Sequence, residues 1–178
     1  MIKEITKTSQ FVKLGQELSL DGETCIDVIG LALTKQASLR FQVHGFSMFL
    51  FIMDGDIITL SPLPEGRVGL GRSIAFRRPS DKKLVIHRLV RICKRSQERY
   101  ITKGDNVDKP DCPISRTDML GYVKEVQRDK RIISFGTGSE RKVIAYASRL
   151  NILWALFFFW GLIIPYSIRQ KIKERLLF

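Results

Sequence analysis

The feature that most restricts this chain is the punctuation of its middle by turn formers. From Ser38 to Ser134, short runs with apolar residues at every second position are interrupted about every ten residues by Gly, Pro, Asn or Asp. Leu39, Phe41 and Val43 alternate with Arg40, Gln42 and His44. Residues 56–60 form a second run, broken by Ser61-Pro62-Leu63-Pro64-Glu65-Gly66. Further strands are predicted over Ser73–Arg77 and over residues 83–94, 100–102, 119–126 and 131–134. Strand and helix patterns do not alternate and no glycine-rich phosphate loop appears, which argues against a parallel nucleotide-binding sheet. The expected fold class is mainly β, an antiparallel barrel or sandwich.

Two other patterns flank this region. Before it, Asp21-Gly22-Glu23-Thr24 can cap a helix whose apolar positions are Cys25, Ile26, Ile29, Leu31 and Leu33. After it, Gly136-Thr137-Gly138-Ser139-Glu140 reads as the end of the sheet domain, and residues 150–168 form an uncharged apolar run. That run approaches the about 20 residues a helix needs to cross a bilayer, with Trp154, Trp160 and Tyr166 suited to its interfaces. The expected organisation is a lead-in and short N-terminal helix (1–37), a β catalytic domain (38–136), a basic linker (137–149), a C-terminal transmembrane helix (150–168) and a basic tail (169–178). Residues 1–16 are polar and basic, without the apolar run of a secretory signal.

Charge and cysteine usage narrow the classes of function. A net charge of +12 favours an anionic partner surface. The basic residues are spread along the chain and form no nucleic-acid-binding module, so a phospholipid membrane is expected and nucleic acid is not. Cys25, Cys93 and Cys112 make no CxxC pair, and His44 and His87 are the only histidines. Neither a metal site nor a cofactor is expected from these residues. Sequence leaves the oligomeric state open.

Three features bear on chemistry. Ser47 follows Gly45 and precedes the Asp54-Gly55-Asp56 turn, so its hydroxyl would project from a strand end. His87 interrupts the otherwise apolar Val85-Ile86-His87-Arg88-Leu89-Val90. Asp105, Asp108 and Asp111 follow in the next turn, where one carboxylate could orient an imidazole. Singly, each has an ordinary reading: a turn serine, a locally satisfied histidine, and aspartates that cap turns. A serine nucleophile needs a base for its proton and donors for the oxyanion, so the combination carries more weight than its parts. His44 would face away from Val43 and Gly45 on a strand and is the poorer base.

Together these motifs resemble type I signal peptidases. Gly45-Phe46-Ser47-Met48 with Asp54-Gly55-Asp56, Ile86-His87-Arg88-Leu89-Val90, Ile101-Thr102-Lys103-Gly104-Asp105-Asn106 and Leu120-Gly121-Tyr122-Val123 look like that family's successive boxes. The likeness is to the endoplasmic-reticulum, archaeal and sporulation-associated branch, in which histidine replaces a lysine base. It covers residues 41–123, a little under half of the chain. It implies a signal-peptidase-like β fold and an endopeptidase that cleaves signal or leader peptides after small residues, with a peptide or preprotein substrate. It also implies Ser47 as nucleophile, His87 as general base and Asp111 as the third member, with Asp105 as the alternative, and the Ser47 amide as an oxyanion donor. Two departures stand out. Leu50 occupies the proline position of the Ser-Met-x-Pro pattern, and an apolar run after the β region stands in for the usual N-terminal anchor. The alternatives are a self-cleaving peptidase of the repressor type and an inactive membrane-anchored binding module with the same fold.

Overall fold

The computed structural model describes residues 22–94, 97–134, 136–153 and 155. They form α1 (Gly22–Thr34), β1 (Leu39–Gln42), β2 (Ile57–Pro62), β3 (Ser73–Arg77), β4 (Leu84–Lys94), β5 (Glu98–Lys103), β6 (Met119–Arg128), β7 (Arg131–Ile133) and α2 (Arg141–Arg149). A short 3-10 turn at Arg116–Asp118 leads into β6. The seven strands make one antiparallel sheet in the order β1-β2-β6-β3-β4-β5, with β7 paired to β6. β6 is the hub of the sheet. Its Tyr122 pairs with Ser61 of β2 and Ile74 of β3, and its Val126 pairs with Ile58 of β2 and Ile133 of β7.

The period of two that marks the strands in sequence also sorts their side chains into two cores. Ala75 joins Ile29 and Leu33 of α1 with Leu39, Met48, Ile52, Ile58, Leu60, Val123 and Val126. Its neighbours Ile74 and Phe76 join the second core with Val68, Val85, Leu89, Tyr100, Ile114 and Met119. β3 therefore reads as a continuous apolar run because both of its faces are buried.

The expected mainly antiparallel β architecture with a short N-terminal helix is present, with boundaries shifted at the ends. β1 stops at Gln42, short of the alternation that continues to His44, and β5 begins at Glu98, two residues before the predicted start. α1 ends at Thr34, and Gln36 turns the chain at φ +61°. The segment between the sheet and the apolar run contains α2, which rests on β4 and buries Ile144, Ala145 and Ser148. That docking requires glycine at Gly71, where φ is +86° and a Cβ would lie 2.2 Å from the Arg141 carbonyl oxygen. Apart from residues 150–153 and 155, the apolar run lies outside the described residues. Among the described residues, no helix is long and apolar enough to cross a membrane.

Candidate active site

Ser47 stands at the start of a turn pinned from both ends. Before it, Gly45 takes φ +119° and donates its N–H to Asp54 Oδ1 at 2.8 Å. That bond, with the nearby His44 imidazole, holds the Asp54 carboxyl below its ordinary pKa range, against the opposing effect of burial. After it, Met48, Phe51 and Ile52 are buried and anchor the turn from below. Removing a buried side chain of the Met48 type costs about 2–5 kcal/mol, so the apolar cluster fixes the serine as firmly as any hydrogen bond. Val43 and Gly55 close the loop through Val43 N to Asp56 O and Gly55 N to Val43 O, each 2.9 Å. Asp56 is buried, accepts both arms of Arg128 at 2.8 Å, and receives the Met53 N–H at 2.7 Å.

His87 projects from β4 with its side chain 9% exposed, and Phe76 is packed against its ring at a centroid distance of 6.3 Å. Its Nδ1 lies 2.7 Å from Asp111 Oδ2. The Thr102 hydroxyl donates to the same oxygen at 2.8 Å, and the Asp111 N–H donates to the Thr102 carbonyl at 2.8 Å. Thr102 thus grips Asp111 by both backbone and side chain. With the carboxylate at Nδ1, a neutral imidazole donates from Nδ1 and keeps its lone pair on Nε2.

Nε2 faces the serine turn. A Cβ built on Gly104 would lie 2.7 Å from the Ser47 carbonyl oxygen and 3.1 Å from His87 Nε2. The absence of a side chain at Gly104 therefore lets the serine backbone and the histidine ring approach the same point. Asn106 fastens the contact, donating its backbone N–H to Ser47 O at 2.8 Å and its side-chain Nδ2–H to Phe46 O at 3.2 Å. Among the described residues the Ser47 hydroxyl makes no hydrogen bond, and neither do the N–H groups of Ser47 and Met48. The Ser47 carbonyl and His87 Nε2 thus border the same glycine, on a half-buried serine whose hydroxyl makes no hydrogen bond to the imidazole.

The two aspartates are separated by the strand register. Arg88 pairs with Lys103, so Arg88 and Asp105 share the face opposite His87. Arg88 is wholly buried. It donates to both Asp105 oxygens at 2.7–3.0 Å and to the carbonyls of Gly71 and Gly136 at 2.8 and 2.9 Å, with its guanidinium 4.8 Å from the Phe51 ring centroid. The structure therefore brings Asp111 to His87 and gives Asp105 to Arg88. His44 is exposed and lies 3.4 Å from Asp54, apart from this arrangement.

Thr102, Gly104, Asn106 and Arg88 complete the local geometry; in the sequence they stood only as members of the quoted motifs, without roles of their own. The spacing of Gly104 and Asn106 beside Asp105 was a usable signal for a turn. Nothing in a linear pattern told that Thr102 would meet Asp111. Among the described residues no group of His, Cys, Asp or Glu side chains is arranged to hold a metal ion. What the geometry establishes is an imidazole held at Nδ1 by a carboxylate, with its Nε2 on the side of the serine turn. No protein-family model matches the chain, and a search of curated proteins found no match.

Proposed function

We propose that this protein is a membrane-anchored serine endopeptidase of the signal-peptidase type, with Ser47 as nucleophile, His87 as general base and Asp111 as the carboxylate that orients the base. The observation that carries this reading is the 2.7 Å contact between His87 Nδ1 and Asp111, on an imidazole whose Nε2 edges the Ser47 backbone. In the reaction, Ser47 Oγ attacks the scissile carbonyl while its proton passes to His87 Nε2. The Ser47 N–H donates to the developing oxyanion. His87 then returns the proton to the departing amine as the acyl-enzyme forms, and a water activated by the same nitrogen hydrolyses the ester. Asp111 accepts from Nδ1 throughout and stabilises the imidazolium. Met48, Phe51 and Ile52 keep the serine backbone still, which favours attack by reducing the motion to be frozen.

The substrate is an extended peptide that adds to a sheet edge through its main chain. The resemblance supplies its identity, a signal or leader peptide with small residues before the cut. The uncharged run over residues 150–168 is the anchor, and the basic residues on both sides of it suit phospholipid headgroups. Ser47→Ala should leave the folding transition in place and lower peptide cleavage about 10⁴-fold or more. Undiminished cleavage by the folded variant would remove Ser47 from the mechanism.

A catalytically silent binding module is the second reading. It is favoured by Leu50, whose φ of +85° gives the loop after Ser47 a course that proline cannot follow. Under this reading the parent protein binds peptides and cleaves none.

A further inference from the structure

A cavity lies where β3, β6 and the start of α2 meet. Its volume is about 100 Å³, and Ser47, His87 and Asp111 are not among its lining residues. Arg72, Lys124 and Arg141 bring three cationic side chains to it, Ser73 and Thr137 add hydroxyls, and no carboxylate lines it. The Arg72 guanidinium sits 4.2 Å from the Tyr122 ring centroid, held flat by the aromatic face. Among the described residues, the Nε atoms of Arg72 and Arg141 are buried without a hydrogen-bond partner, as are those of Arg77 and Arg78, which do not line the cavity. Arg141 Nη1 is engaged with the Gly138 carbonyl at 3.2 Å. Glu140, next to Arg141 in the chain, directs its carboxylate to the N–H groups of Gly136 and Gly138, at 2.6 and 3.1 Å.

Three cationic side chains around a cavity that no carboxylate lines leave an excess of positive charge there, which favours an anion. A ligand with several equivalent oxygens meets donors that converge from different elements better than a single carboxylate does. We propose that this cavity binds a phosphate-type oxyanion, either as free phosphate or as the phosphate of a lipid headgroup. The site lies beside Gly136, whose carbonyl accepts from Arg88, but the inference does not depend on the proposed peptidase activity.

The test uses the full chain in neutral detergent, with ionic strength held constant by sodium chloride. Inorganic phosphate is titrated in one arm and dihexanoyl phosphatidic acid in the other, with dihexanoyl phosphatidylcholine as the control. Heats of binding and melting temperature are read together. The expected result is saturable binding that shifts the unfolding equilibrium about a hundredfold when ligand reaches a hundred times Kd. Binding in both arms identifies a free-phosphate site, and binding of the phosphatidic acid alone identifies a headgroup site. The Arg72→Gln, Lys124→Gln double variant should lose at least about tenfold in affinity, because charge-assisted bonds to the anion are removed. Should that variant fail to fold, Lys124→Gln alone, altered at an exposed position, should still weaken binding severalfold. Absence of saturable binding in both arms, or a folded variant that titrates like the parent, overturns the proposal.

Discussion

Leu50 shows how one residue can set the course of the loop after Ser47. It stands at φ +85°, in the left-handed region that a branched side chain adopts at a cost of about 1–2 kcal/mol. Its side chain is 46% exposed, so little burial offsets that cost locally. What offsets it is the pair of buried neighbours that follow, Phe51 and Ile52, which draw the backbone into the core. Proline fixes φ near about −65° and is incompatible with this course. Leu50→Pro should therefore lower stability by more than about 1 kcal/mol, whereas Leu50→Gly should leave it unchanged or raise it by up to about 1 kcal/mol. Chemical denaturation of the two variants checks this, and a proline variant as stable as the parent would show that the loop does not hold that dihedral.

At the scale of elements, the site depends on where β5 ends. Gly104 lies between the serine turn and the histidine strand, with a virtual Cβ 2.7 Å from Ser47 O, 2.8 Å from Val107 Cγ2 and 3.1 Å from His87 Nε2. Alanine there must push the two elements apart. Overpacking of this kind costs about 1–3 kcal/mol in stability. Its effect on chemistry should be larger in proportion, because a displacement of about 1 Å between reacting groups can cost about 10²-fold in rate. Gly104→Ala is thus expected to reduce kcat for peptide cleavage about a hundredfold or more in protein that remains folded. Full kcat in the folded variant would mean that this approach of strand and turn is not part of the machinery.

At the scale of the whole molecule, and besides the Asp56–Arg128 pair, the buried charge among the described residues lies on the face of β4 and β5 away from His87. Arg88 and Asp105 are 0% and 1% exposed, and the guanidinium joins the sheet to the loops at Gly71 and Gly136. A pair of this kind adds little net stability, yet it fixes which loops meet, since breaking it leaves an uncompensated buried charge at a cost of about 3–5 kcal/mol. Lys103 lies on the same face and is 1% exposed. Burial pushes its pKa below the ordinary lysine value, and the nearby Asp105 and Asp108 carboxylates only partly oppose this. The unfolded chain then binds more protons than the folded one between the lowered pKa and the ordinary one, so stability must rise with pH across that interval. Lys103→Met should be more stable than the parent near pH 7, with the advantage shrinking as pH approaches about 10.4. Denaturation midpoints measured across that range decide it, and parallel curves would show that Lys103 is not buried as a charge.

The strands and the first helix were legible in the linear chain, and Ser47 and His87 stood out there as candidates, because each signal depends on local physics. Alternation marks a strand buried on one side, Gly and Pro mark its ends, and a histidine inside an apolar strand is visible as an exception. The choice between Asp105 and Asp111 was not legible from spacing, because both follow β5 within a single turn. Tertiary structure separated them: the pairing of Arg88 with Lys103 turned Asp105 to the buried arginine, and the Asp111 N–H bond to Thr102 folded Asp111 back to the imidazole. The same holds for Thr102, Gly104 and the anion cavity, whose parts are distant in the chain and meet only through strand pairing and the docking of α2. By itself the sequence determined the elements and the candidate side chains, since periodicity and turn chemistry act over a few residues. Which of those side chains share a face was decided by strand register, a property that exists only once the strands have paired.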